Sequence, residues 1–110
     1  MNVYDTANRL AQEIKESSEY EQYKKIKNEI NSNTEYKAKI DDLEKARYSL
    51  QINQMKGIEV SKEEQDKLEQ KYMEMMKEPK IKEYFDTEMR FNVLLTDVNK
   101  IIAEAVKEVL

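Results

Sequence analysis

The chain has no histidine and no cysteine, so imidazole acid–base catalysis, thiolate nucleophiles, disulfides and iron–sulfur ligation are all closed to it. Any catalysis would rest on Asp, Glu, Lys, Tyr or Ser. Twenty-three acidic residues invite a carboxylate-bridged di-metal centre, but such centres in helical bundles add a Glu-x-x-His pair on each of two helices. Without histidine that centre cannot be completed. Asp41, Asp42 and Glu44 are oxygen ligands in sequence, yet they lack the glycine-turned loop of a calcium hand and read as a solvated helix face. Seven tyrosines include Tyr20, Tyr23, Tyr36, Tyr72 and Tyr84 at positions where a ring belongs in the core and a hydroxyl at its edge. A single glycine leaves no phosphate-cradling loop. No catalytic, cofactor-binding or metal-binding residue is assigned, and an enzyme is not expected.

Charge narrows the partners. Residues 1–57 hold 10 basic and 10 acidic side chains, net 0, and residues 58–110 hold 9 and 13, net −4. Neither half carries the positive excess that phosphate backbones select. Lys24, Lys25, Lys27, Lys37 and Lys39 form the densest basic patches, interleaved with acids. They would be the phosphate contacts of an accessory RNA-binding subunit, but a solvated face is the better reading and argues against nucleic acid. Met73, Met75, Met76 and Met89 would suit an adaptable groove, and gap-filling in the core explains them more simply. No apolar run approaches the ~20 residues of a membrane span, and the N-terminus lacks a basic segment followed by a hydrophobic one. The expectation is a cytoplasmic protein.

The elements that position these residues are helices. Charged residues make up 38% and apolar ones 39% of the chain, with one proline, and the apolar residues keep a helical period, as disordered segments do not. At 110 residues one domain is expected. Helices are predicted over about 3–16, 19–31, 34–56, 62–77 and 80–109. Asn2 or Asp5 caps the first, Ser17 and Ser18 open the second, and Asn31-Ser32-Asn33 separates the second from the third. Gly57 closes the third in left-handed geometry, and Ser61-Lys62-Glu63-Glu64 has capping-box spacing. Pro79 sets the last boundary. The fold class is all-α, an antiparallel bundle of about five helices.

The last helix is the most apolar. Phe91, Leu95, Val98, Ile102, Ala105 and Val109 alternate spacings of four and three, and Leu94 and Ile101 widen the stripe. At 1.5 Å per residue this helix would run about 45 Å. A compact globule of this length has a diameter of only about 34 Å. An apolar helix that overhangs its own subunit needs cover, so a homodimer is expected, with Phe91, Leu94, Leu95, Val98, Ile101, Ile102, Ala105 and Val109 as its interface.

The run Asn2-Val3-Tyr4-Asp5-Thr6-Ala7-Asn8-Arg9-Leu10, followed by Ile14-Lys15-Glu16-Ser17-Ser18-Glu19-Tyr20, resembles the opening of the YheA-like branch of the YlbF/YmcA family. These are small helical proteins of Gram-positive bacteria. Leu94-Leu95-Thr96-Asp97-Val98-Asn99-Lys100-Ile101-Ile102 is similar to that branch's C-terminal segment. The resemblance implies an all-helical, cytoplasmic, dimeric regulator that binds another protein and has no known catalytic activity. Relatives act in competence, sporulation, biofilm formation and messenger RNA processing. The iron–sulfur cysteines of the better understood relatives have no counterpart in this chain. The polar positions that transfer are Tyr4, Asp5, Asn8, Asp97, Asn99 and Lys100, with no role attached to them.

Overall fold

A computed structural model describes residues 2–110. Its described residues form five helices and no strand: α1 (Val3–Glu16), α2 (Ser18–Asn31), α3 (Thr34–Met55), α4 (Lys62–Met75) and α5 (Pro79–Val106). None is long and apolar enough to cross a membrane.

Local chemistry sets the boundaries. Asn2 rather than Asp5 caps α1, its Oδ1 accepting from the Asp5 backbone N–H at 2.9 Å. Ser17 serves two helices at once. Its hydroxyl donates to the Ile14 carbonyl at 2.6 Å and accepts from the Tyr20 N–H at 3.2 Å, closing α1 and opening α2. Asn33 caps α3 through the Tyr36 N–H, and Ser61 caps α4 through the Glu64 N–H. At the end of α3, Gly57 takes a φ of +74°. Its N–H donates to the Gln54 carbonyl and that of Ile58 to the Asn53 carbonyl, which is the Schellman closure that a left-handed residue permits. Pro79 is the first residue of α5, where its missing N–H leaves no helical bond unmade. The helix stops at Val106, short of the expected Val109, because the N–H groups of Val109 and Leu110 both turn back to the Val106 carbonyl.

Internal contacts group into two units. One takes the chain up to Lys27 and from Tyr84 onward; the other takes Asn28 to Glu83. The boundary falls inside α2 and inside α5. In the middle unit the apolar residues Ile30, Ile40, Leu43, Met75 and Ile81 are buried, Leu43 and Ile81 completely. Arg47 lies over the Tyr72 ring at 4.8 Å. Two surface lysines stitch the same unit: Lys39 Nζ reaches Glu78 at 2.6 Å and Glu35 at 3.3 Å, and Lys80 Nζ reaches Glu29 at 2.6 Å. In the terminal unit the buried residues are Ile26, Tyr84, Phe85 and Thr87. Aromatic rings stabilise it further: Tyr23 meets Tyr84 at 5.8 Å, and Tyr84 meets Phe85 edge-on at 5.3 Å. The Thr87 hydroxyl is satisfied by the Tyr84 carbonyl at 2.9 Å, as burial of a polar group requires.

Candidate functional site

A helix advances about 100° per residue, so Phe91, Leu95, Val98, Ile102 and Ala105 lie along one side of α5. Cover on that side changes along the helix. Phe91, Leu94, Leu95 and Val98 are half-buried, and the Phe91 ring packs against Tyr20 at 5.7 Å and Tyr23 at 5.9 Å. Past Val98 the cover ends. Ile101 is 70% exposed, Ile102 52% and Val109 84%, and Ala105 is also open to solvent.

Helix α1 is in the same condition. It has no buried residue: Leu10 and Ile14 are half-buried, while Val3 and Tyr4 are each 81% exposed. Val3, Ala7 and Leu10 of α1 face Ile102 of α5 across an apolar groove of about 460 Å³, with Asn2 and Thr6 at its rim. Both rim residues are occupied locally, Asn2 Oδ1 by the Asp5 N–H and Thr6 Oγ1 by the Asn2 carbonyl at 3.3 Å. The groove therefore offers mainly surface for packing. Scattered apolar side chains on a surface need no explanation, whereas large contiguous apolar patches are characteristic of interaction surfaces.

The six polar positions singled out in the sequence are all open to solvent. Tyr4, Asp5 and Asn8 are exposed on the first turns of α1, and Asp97, Asn99 and Lys100 are exposed on α5. Asp5 sits in the first turn of α1, where the helix dipole favours a negative charge. Among the described residues no hydrogen bond or ion pair joins the first three to the last three.

A second concavity, of about 350 Å³, lies in the middle unit and is lined by Lys39, Asp42, Lys71, Glu74, Met75 and Glu78. Its charges are mixed. The Glu78 hydrogen bond, then that of Glu35, holds the Lys39 ammonium above the ordinary lysine pKa against a smaller opposing cost of desolvation. For Lys80 the same order holds, with the Glu29 hydrogen bond first. The described residues contain no cluster of three acids that would hold a metal ion. Of the lysines considered as phosphate contacts, Lys39 is thus committed to two carboxylates, and Lys27 lies over the Tyr23 ring at 5.4 Å. The methionines do not act as one group. Met75 is buried, Met76 half-buried, and Met73 and Met89 are exposed.

Sequence reasoning found the α5 stripe through its period. It did not single out the face of α1 where Val3 and Ala7 line a groove with Ile102. Their spacing was visible; the lack of anything packed on them was not.

Comparison with known proteins places the chain in context. Residues 3–107 match the family model described as control of competence regulator ComK, YlbF/YmcA. The chain is 39% identical over 102 residues to a UPF0342 protein of Halothermothrix orenii, covering 93% of this chain and 86% of the relative. A UPF0342 protein of Caldicellulosiruptor bescii is 35% identical over 106 residues, covering 96% and 89%. Among solved structures, a protein of unknown function (DUF964) from Bacillus stearothermophilus superposes with a TM-score of 0.85, over 96% of this chain and 93% of that one. At 16% identity it shares the fold.

Proposed function

The chain belongs to the YlbF/YmcA family, and from that premise we propose that it is a non-catalytic regulatory protein of the cytoplasm. It works as a homodimer and docks onto another protein. The observation that carries this reading is the apolar surface shared by α1 and the distal half of α5, with Ile101, Ile102 and Val109 open to solvent and Val3 and Ala7 facing Ile102 across a groove. Burying such a stripe against a twin is the ordinary way a small helical subunit with a modest core gains stability. The family's description, control of a competence regulator, supports regulation by protein contact, in competence or, by the family resemblance, in sporulation, biofilm or messenger RNA-processing control.

Sedimentation equilibrium tests the assembly. A dimer is expected at micromolar concentration, and a stable monomer there would overturn the reading. Ile102→Asp places an unpaired charge where the twin would pack, at a position already half open in the single subunit. It is expected to yield folded monomer, because a buried unpaired charge costs several kcal/mol. The regulatory part is tested by affinity capture from native cytoplasm with the wild type and Ile102→Asp side by side. A partner retained by the first and lost by the second is expected.

A further inference from the structure

We propose that α1 is a detachable cover: it lifts from α5 as a unit, turning at Ser17, and bares the apolar stripe of α5 while the rest of the fold stays in place. The proposal extends the docking reading to how that surface is opened. It concerns a single subunit, so a monomer in sedimentation would sink the homodimer and leave it standing.

The position of α1 follows from its two ends. Just past its C-terminal end the Tyr20 ring meets Phe91 at 5.7 Å, and toward its start Val3, Ala7 and Leu10 face Ile102 across the groove. Helix α1 therefore runs antiparallel along α5 between the levels of Phe91 and Ile102. Leu95 and Val98 fall between those levels and are half-buried, as are Leu10 and Ile14 of α1.

Little holds α1 there. Among the described residues it is the one helix without a buried side chain. Its side-chain hydrogen bonds are local, from Thr6 to the Asn2 carbonyl and from Gln12 to Glu16 at 3.0 Å. Among the described residues no hydrogen bond or ion pair joins α1 to another helix. Helix α2 differs. Its Tyr23 hydroxyl donates to Glu88 of α5 at 3.3 Å, and Arg90 of α5 donates to its Gln22 at 3.2 Å. Few buried apolar contacts and no polar tie put α1 at the low end of local stability within this fold.

The link suits detachment. Ser17 alone separates α1 from α2, in extended geometry with φ −67° and ψ 149°. Rotation at one such residue redirects the element before it, while the Ser17 hydroxyl goes on accepting from the Tyr20 N–H and capping α2. Once lifted, α1 has 14 residues, and isolated helices shorter than about 12–15 residues are marginal in water. Undocking and unwinding therefore occur together, and the backbone amides of α1 report both.

Hydrogen exchange of the full-length protein, followed residue by residue by NMR, tests this. After correction for intrinsic rates, the amides of Leu10, Ala11 and Ile14 are expected to exchange roughly a hundredfold faster than that of Leu43. Their exchange should depend little on urea, because the opening exposes little surface. The chain has no native cysteine, so Val98→Cys reads the stripe itself. Its reaction with a soluble aromatic disulfide should be slowed, relative to free cysteine, by about the same factor as the α1 amides. Leu10→Ala, which trims the half-covered contact, should speed both the α1 exchange and the Val98→Cys reaction about tenfold. Protection of the α1 amides equal to that of Leu43 overturns the proposal. A Val98→Cys thiol as protected as the Leu43 amide, or one whose rate Leu10→Ala leaves unchanged, overturns it too, because α1 would then not be what covers the stripe.

Discussion

Leu43 and Ile81 have no solvent exposure, and at such sites the loss of a few methyl groups is felt in full because little can collapse into the space. Leu43→Ala should lower the unfolding free energy by about 2–5 kcal/mol in urea titrations. Val93→Ala, on an exposed side of α5, should change it by less than about 0.5 kcal/mol. The paired lysines give a pH signature of definite sign. Lys39 and Lys80 both have their pKa raised in the folded state. Their contribution is complete below the ordinary lysine value and is lost as pH rises through the raised one. The wild type's advantage in urea midpoint over the variant with both replaced by methionine should stay level up to about pH 10 and shrink above it, measured as the difference between the two proteins so that tyrosine ionisation cancels. Residue identity on the core stripes was legible beforehand, since Ile26, Ile30, Ile40 and Leu43 follow the helical period. The Lys39–Glu78 and Lys80–Glu29 bridges were not, because they join positions far apart in sequence and depend on where the helices come to lie.

At the scale of elements the chain is governed by a few cap residues. Gly57 has nothing within 4 Å of where a Cβ would stand, so Gly57→Ala should cost about 1 kcal/mol from left-handed backbone strain alone. Gly57→Asn should recover part of that loss, and thermal melts distinguish the two. Ser17→Ala removes a hydroxyl used by both α1 and α2. The expected loss of about 1 kcal/mol should be accompanied by faster amide exchange at Tyr20. These boundaries could be read from sequence because a cap is a local bargain between a side chain and the backbone three residues away. Choices between near-equal local options were less legible. Asn2 takes the cap of α1 from Asp5, and α5 ends in a turn that the apolar spacing of Val109 had disguised as helix.

For the whole molecule the sequence carried the all-helical class, the five helices and the excess of apolar surface on α5. It did not carry the grouping of contacts into two units, whose boundary cuts through α2 and α5 at Lys27 and Tyr84 with no proline, glycine or change of composition to mark it. Nor did it single out the open face of α1, because amphipathic spacing looks the same whether or not anything packs upon it. Ile102→Asp at this scale should convert dimer to monomer in sedimentation equilibrium.

In the proposed homodimer the bare stripe of Ile101, Ile102 and Val109 would tie the integrity of the fold to how much of the protein a cell makes. For a subunit covered by its twin, each tenfold rise in total concentration adds about 1.4 kcal/mol to the stability of the assembly. In such a dimer, scarce protein would leave the stripe uncovered, while abundant protein would shelter it. Such a dimer would register its own dosage, and a melting temperature that rises with protein concentration is the physical form of that threshold.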